Sequence, residues 1–221
     1  MISIIGRSGS GKTTLLNICA GLLTPTIGHI KRNFLLKKSG RPNELGYVFQ
    51  SPELIPWMTV IENVLLPISL SKGVFSEVDE VRAKAILADI GLSESLHLRP
   101  KQLSGGMKKR VGIARGFIND PRIIFLDEPL GELDEVLREE LLLWTKEQVQ
   151  NLKASAILVT HSIDEAIKFS DRVLVLGNFP SEIVADISIA IDKTKTQNAE
   201  KFNRERLREK LKTLLGETKV A

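Results

Sequence analysis

The run Gly6-Arg-Ser-Gly-Ser-Gly-Lys-Thr13 fits the pattern G-x-x-x-x-G-K-[ST] at every fixed position. Each residue type in it has a physical reason to be there. Gly6, Gly9 and Gly11 let the backbone turn and let N–H groups converge on an anion. Arg7, Ser8 and Ser10 complete the loop. A helix starting at its end would add unpaired N–H groups and a positive dipole end. Lys12 is spaced to reach the β- and γ-phosphates as a point charge. The Thr13 hydroxyl suits Mg2+, and Thr14 falls where it would touch the α-phosphate. The chemistry predicted for this loop is retention of the phosphates of ATP with Mg2+.

Further along the chain, Ile123-Ile-Phe-Leu-Asp127-Glu128 is an apolar run closed by acids. Alone, this describes a solvated strand end. Beside a phosphate loop it describes carboxylates at the carboxyl end of a buried strand, where ligands of α/β sheets bind. Asp127 would hold Mg2+, and Glu128 would polarise the attacking water. Val159-Thr-His161 ends another apolar run and offers an imidazole at the same sheet edge. Leu103-Ser-Gly-Gly-Met107 places small residues ahead of a helical stretch, a second possible anion site. One chain with a pair of phosphate-binding loops implies two ligands, or one ligand shared between two chains.

Elements that could position these residues are readable from periodicity. Met1–Ile5, Gly28–Leu36, Gly46–Gln50, Ile123–Leu126, Ala156–Thr160, Arg172–Leu176 and Ile183–Ile191 read as strands, with a polar loop at Lys37–Glu44. Thr13–Leu23, Val60–Leu66, Glu77–Ile90, Ser104–Ile118 and Val136–Leu152 read as helices. Leu207, Leu211, Leu214 and Leu215 mark the apolar face of a terminal helix. The expectation is an α/β fold: a core over 1–50 and 119–191, a helical insertion over 51–118, and a basic amphipathic helix over 192–221.

The bulk composition narrows the class. The chain has 221 residues, 43% of them hydrophobic, enough for a real core. Its single cysteine, Cys19, excludes an internal disulfide and reads as a buried core thiol. The net charge of +4 comes largely from Lys193 onward, a run that reads as a solvated helix face, with no nucleic acid expected. No segment is long and apolar enough to span a bilayer, and the start lacks a secretory pattern. A cytoplasmic protein is expected.

The order of these motifs resembles the ATP-binding-cassette (ABC) ATPases, whose core is a P-loop NTPase sheet, mainly parallel and flanked by helices, with an inserted helical subdomain. Gly6–Thr13 matches the family's Walker A motif, and Gln50 in Tyr47-Val-Phe-Gln-Ser-Pro52 its Q-loop. Leu103–Met107 matches the signature, Ile123–Glu128 Walker B with the catalytic glutamate, Gly131-Glu-Leu-Asp134 the D-loop, and His161 the switch histidine. The resemblance implies catalytic roles for Glu128, His161 and Gln50, and metal contacts from Thr13, Gln50 and Asp127. It also implies a head-to-tail dimer in which Ser104, Gly105, Gly106 and Asp134 of one chain complete the site of the other.

The segment Ile55-Pro-Trp57-Met-Thr59 would receive a short helix of a membrane permease subunit, although plain core packing would equally explain Trp57. The run Ser51–Val64, Met107 and Thr160-His-Ser-Ile-Asp-Glu-Ala166 resemble the nitrate/sulfonate/taurine importer branch. That branch works with a solute-binding protein, and its ATPase is peripheral on the inner face of the membrane. Relative to the family, the N-terminal antiparallel strands are largely missing and, with them, the aromatic that stacks on adenine. Glu132 also stands where alanine is usual. Alternative readings are a DNA-maintenance ATPase on the same cassette, for which no coiled coil is visible, and a nucleotide-binding module with little hydrolysis.

Overall fold

A computed structural model describes residues 1–31, 45–177, 181–189 and 197–216. In chain order, β1 (Ile2–Gly6), α1 (Lys12–Ala20), β2 (Leu45–Val48), α2 (Val60–Lys72), α3 (Glu77–Asp89) and α4 (Gly105–Phe117) come first. They are followed by β3 (Ile123–Asp127), α5 (Glu135–Asn151), β4 (Ser155–Val159), α6 (Ile163–Phe169), β5 (Arg172–Leu176), β6 (Ile183–Ser188) and α7 (Gln197–Leu215). Short 3-10 turns at Ser93–Ser95 and Pro100–Gln102 precede α4. The chain divides into a unit of Met1–Thr24 with Ala156–Ala221 and a unit of Pro25–Ser155.

In the first unit, β1 runs parallel to both β4 and β5, with Ile4 opposite Val159 and Leu174. β6 pairs antiparallel with β5, giving a mixed sheet in the order β4-β1-β5-β6. Ser3 to Gly6 are buried on both faces, as a central parallel strand requires. Against this sheet α6 and α7 bury Ile163, Ala166, Ile167, Leu211 and Leu215 on Ile5, Val173 and Val175. The expected apolar face of α7 is narrower than its leucines suggest. Leu211 and Leu215 are buried and Leu207 lies partly buried beside them, while Leu214 is 38% exposed. The Arg204, Arg206, Arg208 and Lys210 side chains are exposed, so this part of the basic run is a solvated face.

Helix α1 stops short of the predicted Leu23. Gly21 adopts φ 80° and closes a Schellman turn, its N–H bonding Ile18 O and that of Leu22 bonding Asn17 O. Leu16 and Ala20 take the buried face, which leaves Cys19 half-buried at its flank rather than in the core. The strand expected from Gly28 is not formed over 28–31, because Gly28 has φ 91°, outside the extended region. The rest of that strand and the predicted loop Lys37–Glu44 lie outside the described residues, as do the last two residues predicted for the strand Ile183–Ile191.

In the second unit, β2 and β3 are parallel, with Tyr47 opposite Phe125 and Val48 opposite Leu126. Helix α4 lies against β2 backbone to backbone. A Cβ on Gly46 would stand 2.4 Å from Gly116 O, and one on Gly116 would stand 2.6 Å from Val48 Cγ2. Gly112 likewise gives way to Pro52, 3.1 Å from where its Cβ would sit. This small-residue face lets α4 lie close to β2 and the segment after it.

Helix α2 begins with a capping box: the Thr59 hydroxyl accepts from Glu62 N, and the Glu62 carboxylate accepts from Thr59 N at 2.7 Å. Those bonds from Thr59 hold the Glu62 carboxyl below its usual range. The helix runs past the predicted Leu66 to Lys72 through Pro67. Burial of Val64, Leu65 and Ile68 outweighs the local breaking tendency of the proline. Asn63 is fully buried and holds the preceding turn: its Oδ1 accepts from Ile55 N at 2.7 Å, and its Nδ2 donates to Ile55 O, Met58 O and Thr59 O at 2.9–3.3 Å. Asn63→Ala is expected to cost about 1–3 kcal/mol by leaving buried backbone groups unpaired. A lowered urea midpoint with unchanged m-value would report it.

Candidate functional site

The phosphate loop lies in the first unit, between β1 and α1. Gly9 and Gly11 have φ 79° and 80°, the left-handed conformation expected of the loop glycines. Gly6 must lack a side chain for a different reason, since its Cβ would come within 2.6 Å of Ser10 Oγ. Ser10 is buried, and its hydroxyl has no partner among the described residues. The Lys12 ammonium bends back over the loop, donating to Gly6 O at 2.9 Å and to Arg7 O at 3.0 Å. Lys12 is 6% exposed, so its charge is held close to the loop's backbone.

Capping distinguishes α1 from α2 to α6. α2 to α6 are each N-capped by a side chain, from Thr59, Ser76, Ser104, Asp134 and Ser162. At α1 the cap is Gly11, which has no side chain to accept from the first amides, and no acid lies in the first turn. A helix amino end left this way, with Lys12 in its first turn, is built to be completed by an anion. Thr13 and Thr14 stand exposed on the same turn.

His161 follows β4 in the same unit. Thr160 anchors its turn, the hydroxyl donating to the buried carboxylate of Glu165 and accepting from Ser162 N at 3.0 Å. Thr160 N also donates to Ile4 O at 3.2 Å, which extends the sheet pairing up to the histidine.

The acidic residues lie in the second unit. Asp127 is buried at the end of β3. Across from this strand end, the Tyr47 phenol has its pKa pushed up, first by burial and then by the charge of Asp127. Glu128 has φ 42°, a conformation that costs a non-glycine residue about 1 kcal/mol or more and recurs where function demands it. The Gln50 side-chain amide donates to Glu128 Oε2 at 3.4 Å, so the Q-loop and the acidic strand end are brought together.

Several sequence-selected residues take structural positions as well. Ser104 Oγ caps α4 by accepting from Met107 N at 3.2 Å, and Ser104 and Gly105 are exposed. Asp134 Oδ1 caps α5 by accepting from Leu137 N at 3.0 Å. Glu132, in the loop between, has φ 67°.

Sequence reading missed two cations of α4. Buried Lys109 donates to Gln50 O at 2.8 Å. Arg115 donates to Glu53 O at 2.9 Å and to Pro52 O, and burial lowers its pKa against the opposing charge of Glu53. Their signal was available in the spacing Lys109, Gly112, Arg115, Gly116: two cations interleaved with small residues on one helix face.

These residues fit nucleotide and magnesium in different degrees. The uncapped α1 end and Lys12 fit phosphate. Among the described residues no three His, Cys, Asp or Glu side chains gather into a metal cage. Thr13 and Asp127 are instead the donor types of a cation held by few side chains and by substrate phosphates.

A glycine loop closing a buried parallel strand, an uncapped helix end beyond it and a lysine folded over it define a P-loop nucleotide-binding protein. Residues 1–131 match the ABC transporter family. The aliphatic sulfonates import ATP-binding protein SsuB 1 of Pseudomonas aeruginosa is 39% identical over 90% of this chain and 80% of its own length. The nitrate transport protein NasD of Klebsiella oxytoca is 40% identical over 84% of this chain and 71% of its own. The taurine import ATP-binding protein TauB of Sinorhizobium fredii is 40% identical over 84% of this chain and 69% of its own.

Among solved structures, the dimeric structure of MJ0796, a bacterial ABC transporter cassette, superposes with a TM-score of 0.75 at 35% identity, covering 86% of this chain and 85% of that one. A post-hydrolysis state of the same cassette, bound to ADP and Pi, gives 0.73 at 34% identity over the same shares. The chain belongs to the ABC transporter family, as an ATP-binding and ATP-hydrolysing subunit of an importer. No helix among the described residues is long and apolar enough to cross a membrane.

Proposed function

We propose that this ATPase energises uptake of a small solute of the nitrate, sulfonate or taurine kind, working as a head-to-tail dimer on the inner face of the cell membrane. The observation that carries the nucleotide part is the amino end of α1, which has no side-chain cap and carries Lys12 in its first turn. In this reading the loop from Gly6 to Gly11 and the residues Lys12, Thr13 and Thr14 hold the phosphates. Thr13, Gln50 and Asp127 hold Mg2+, which when bound neutralises charge on the phosphate oxygens.

Glu128 orients the attacking water and takes its proton, and Gln50, in reach of that carboxylate, reports on the nucleotide. His161 stabilises the developing charge. Ser104, Gly105, Gly106 and Asp134 act on the nucleotide of the partner subunit. The exposure of Ser104 and Gly105 supports that assignment. The functional division we propose is a core of 1–50 and 119–191, a helical subdomain of 51–118 and a C-terminal helix within 192–221.

The permease surface is proposed at the turn held by Asn63. Trp57 is 71% exposed, so core packing does not explain it. Within the same unit a cavity of about 300 Å³ is lined by Phe49, Glu53, Ile55, Leu66, Leu70 and Arg115, a mostly apolar hollow of a size to take anchoring side chains of a short helix. Co-expression with membrane subunits encoded beside it tests the proposal. The parent chain is expected to co-purify with the permease, and Trp57→Ala to lose that association while still binding ATP. A parent chain that associates with no membrane protein would contradict the importer assignment.

A further inference from the structure

The carboxyl end of α7 meets the phosphate loop through Arg7. Arg7 Nε donates to Leu215 O at 2.9 Å and Arg7 Nη2 to Gly216 O at 3.1 Å. These carbonyls belong to the end of a helix, where C=O groups lack intrahelical partners and the dipole is negative. A guanidinium is the side chain suited to both. Gly216 closes the helix at φ 67°, its N–H bonding Thr213 O at 3.0 Å. A Cβ there would lie 2.6 Å from Arg7 Nη2. Glycine at this position therefore serves both the left-handed turn and the close approach of the arginine.

The contact is backed on both sides. Leu211 and Leu215 of α7 are buried in the same cluster as Ile5, the residue just before the loop, and Arg208 pairs with Asp164 of α6 at 2.6 Å. On the loop side, the carbonyl of Arg7 is one of the two that receive the Lys12 ammonium. A continuous path thus runs from the last turn of α7, through the Arg7 side chain and backbone, to the lysine over the phosphate site.

We infer that α7 clamps the phosphate loop in its nucleotide-ready form, with Arg7 as the positioning residue. The inference rests on the nucleotide-binding role of the loop and adds a role for the C-terminal helix. Without the clamp, Arg7 and its carbonyl are free to move. The loop must then be ordered when nucleotide binds, at a cost to affinity. Because coupling is reciprocal, bound nucleotide must in turn steady the end of α7.

Arg7→Met keeps the aliphatic stem of this exposed side chain and removes its donors. Equilibrium titration of the purified full chain should show ATP affinity about fivefold to tenfold weaker in Arg7→Met. Arg7→Lys should fall between the two, since an ammonium lacks the fork. Gly216→Ala displaces the guanidinium and should weaken binding in the same direction, with little added effect on top of Arg7→Met. Amide exchange in the last turn of α7 should slow on addition of ATP in the parent chain and not in Arg7→Met.

A merely structural tie would lower the thermal midpoint of Arg7→Met yet leave ATP affinity and nucleotide-dependent protection as in the parent. That result overturns the clamp alone. A parent chain that binds no ATP would overturn the nucleotide reading and the clamp with it.

Discussion

Glu128→Gln should lower ATP turnover by about 10²–10⁴-fold, the range lost with a general base, while ATP still binds. Glutamine is nearly isosteric and keeps an acceptor oxygen, so the loop after β3 has no reason to change shape. It can also adopt the φ of 42° that Glu128 adopts, at a similar strain. What it cannot do is take a proton from water. The Gln50 amide, 3.4 Å from Glu128 Oε2, can donate equally to the new side chain's oxygen, so the link to the Q-loop should survive. Phosphate release at saturating Mg-ATP measures the first expectation, and nucleotide titration of the same sample measures the second. Hydrolysis at the parent rate would mean that another group activates the water.

Lys12→Ala should act on binding instead. Lys12 donates to the carbonyls of Gly6 and Arg7 and is almost fully buried. Its loss removes a charge-assisted contact to phosphate and the ammonium that draws these two carbonyls together. A hydrogen bond to a charged group is worth about 1.5–3 kcal/mol, which corresponds to roughly 10- to 100-fold in the dissociation constant. The same titration would show it, and Glu128→Gln serves as the control that removes chemistry without removing binding. Unaltered affinity in Lys12→Ala would indicate that the loop amides alone hold the nucleotide.

The phosphate loop was legible because it is local. Gly6 to Thr13 are consecutive, the strand before them is β-branched and the helix after them begins at Lys12 itself. Strand and helix limits elsewhere shifted where a single backbone feature outranked periodicity. Gly21 ended α1 early, Gly28 kept its segment from extending, and burial carried α2 through Pro67. Cys19 was misjudged because an apolar run says nothing about which residues of a short helix face inward.

The supporting residues were harder to read, since their function lies in partners distant along the chain. Lys109 serves the carbonyl of Gln50, Arg115 the carbonyls of Pro52 and Glu53, and Arg7 the end of α7. Only the interleaving of Lys109 and Arg115 with Gly112 and Gly116 hints that two of these cations are not solvated, and nothing in the local sequence singles out Arg7. The surface position of Trp57 was equally open until the turn clamped by Asn63 placed its ring in solvent.

The central claim is that this chain is half of an ATP-driven motor, with each phosphate loop completed by the signature loop of a second copy. Light scattering on purified Glu128→Gln, with and without Mg-ATP, tests it most directly. The account predicts a doubling of mass on addition of Mg-ATP, reversed when nucleotide is removed and needing roughly 10- to 100-fold more nucleotide in a Glu128→Gln chain that also carries Lys12→Ala. A mass that stays that of a single chain at saturating Mg-ATP, in protein shown to have bound it, would contradict the account.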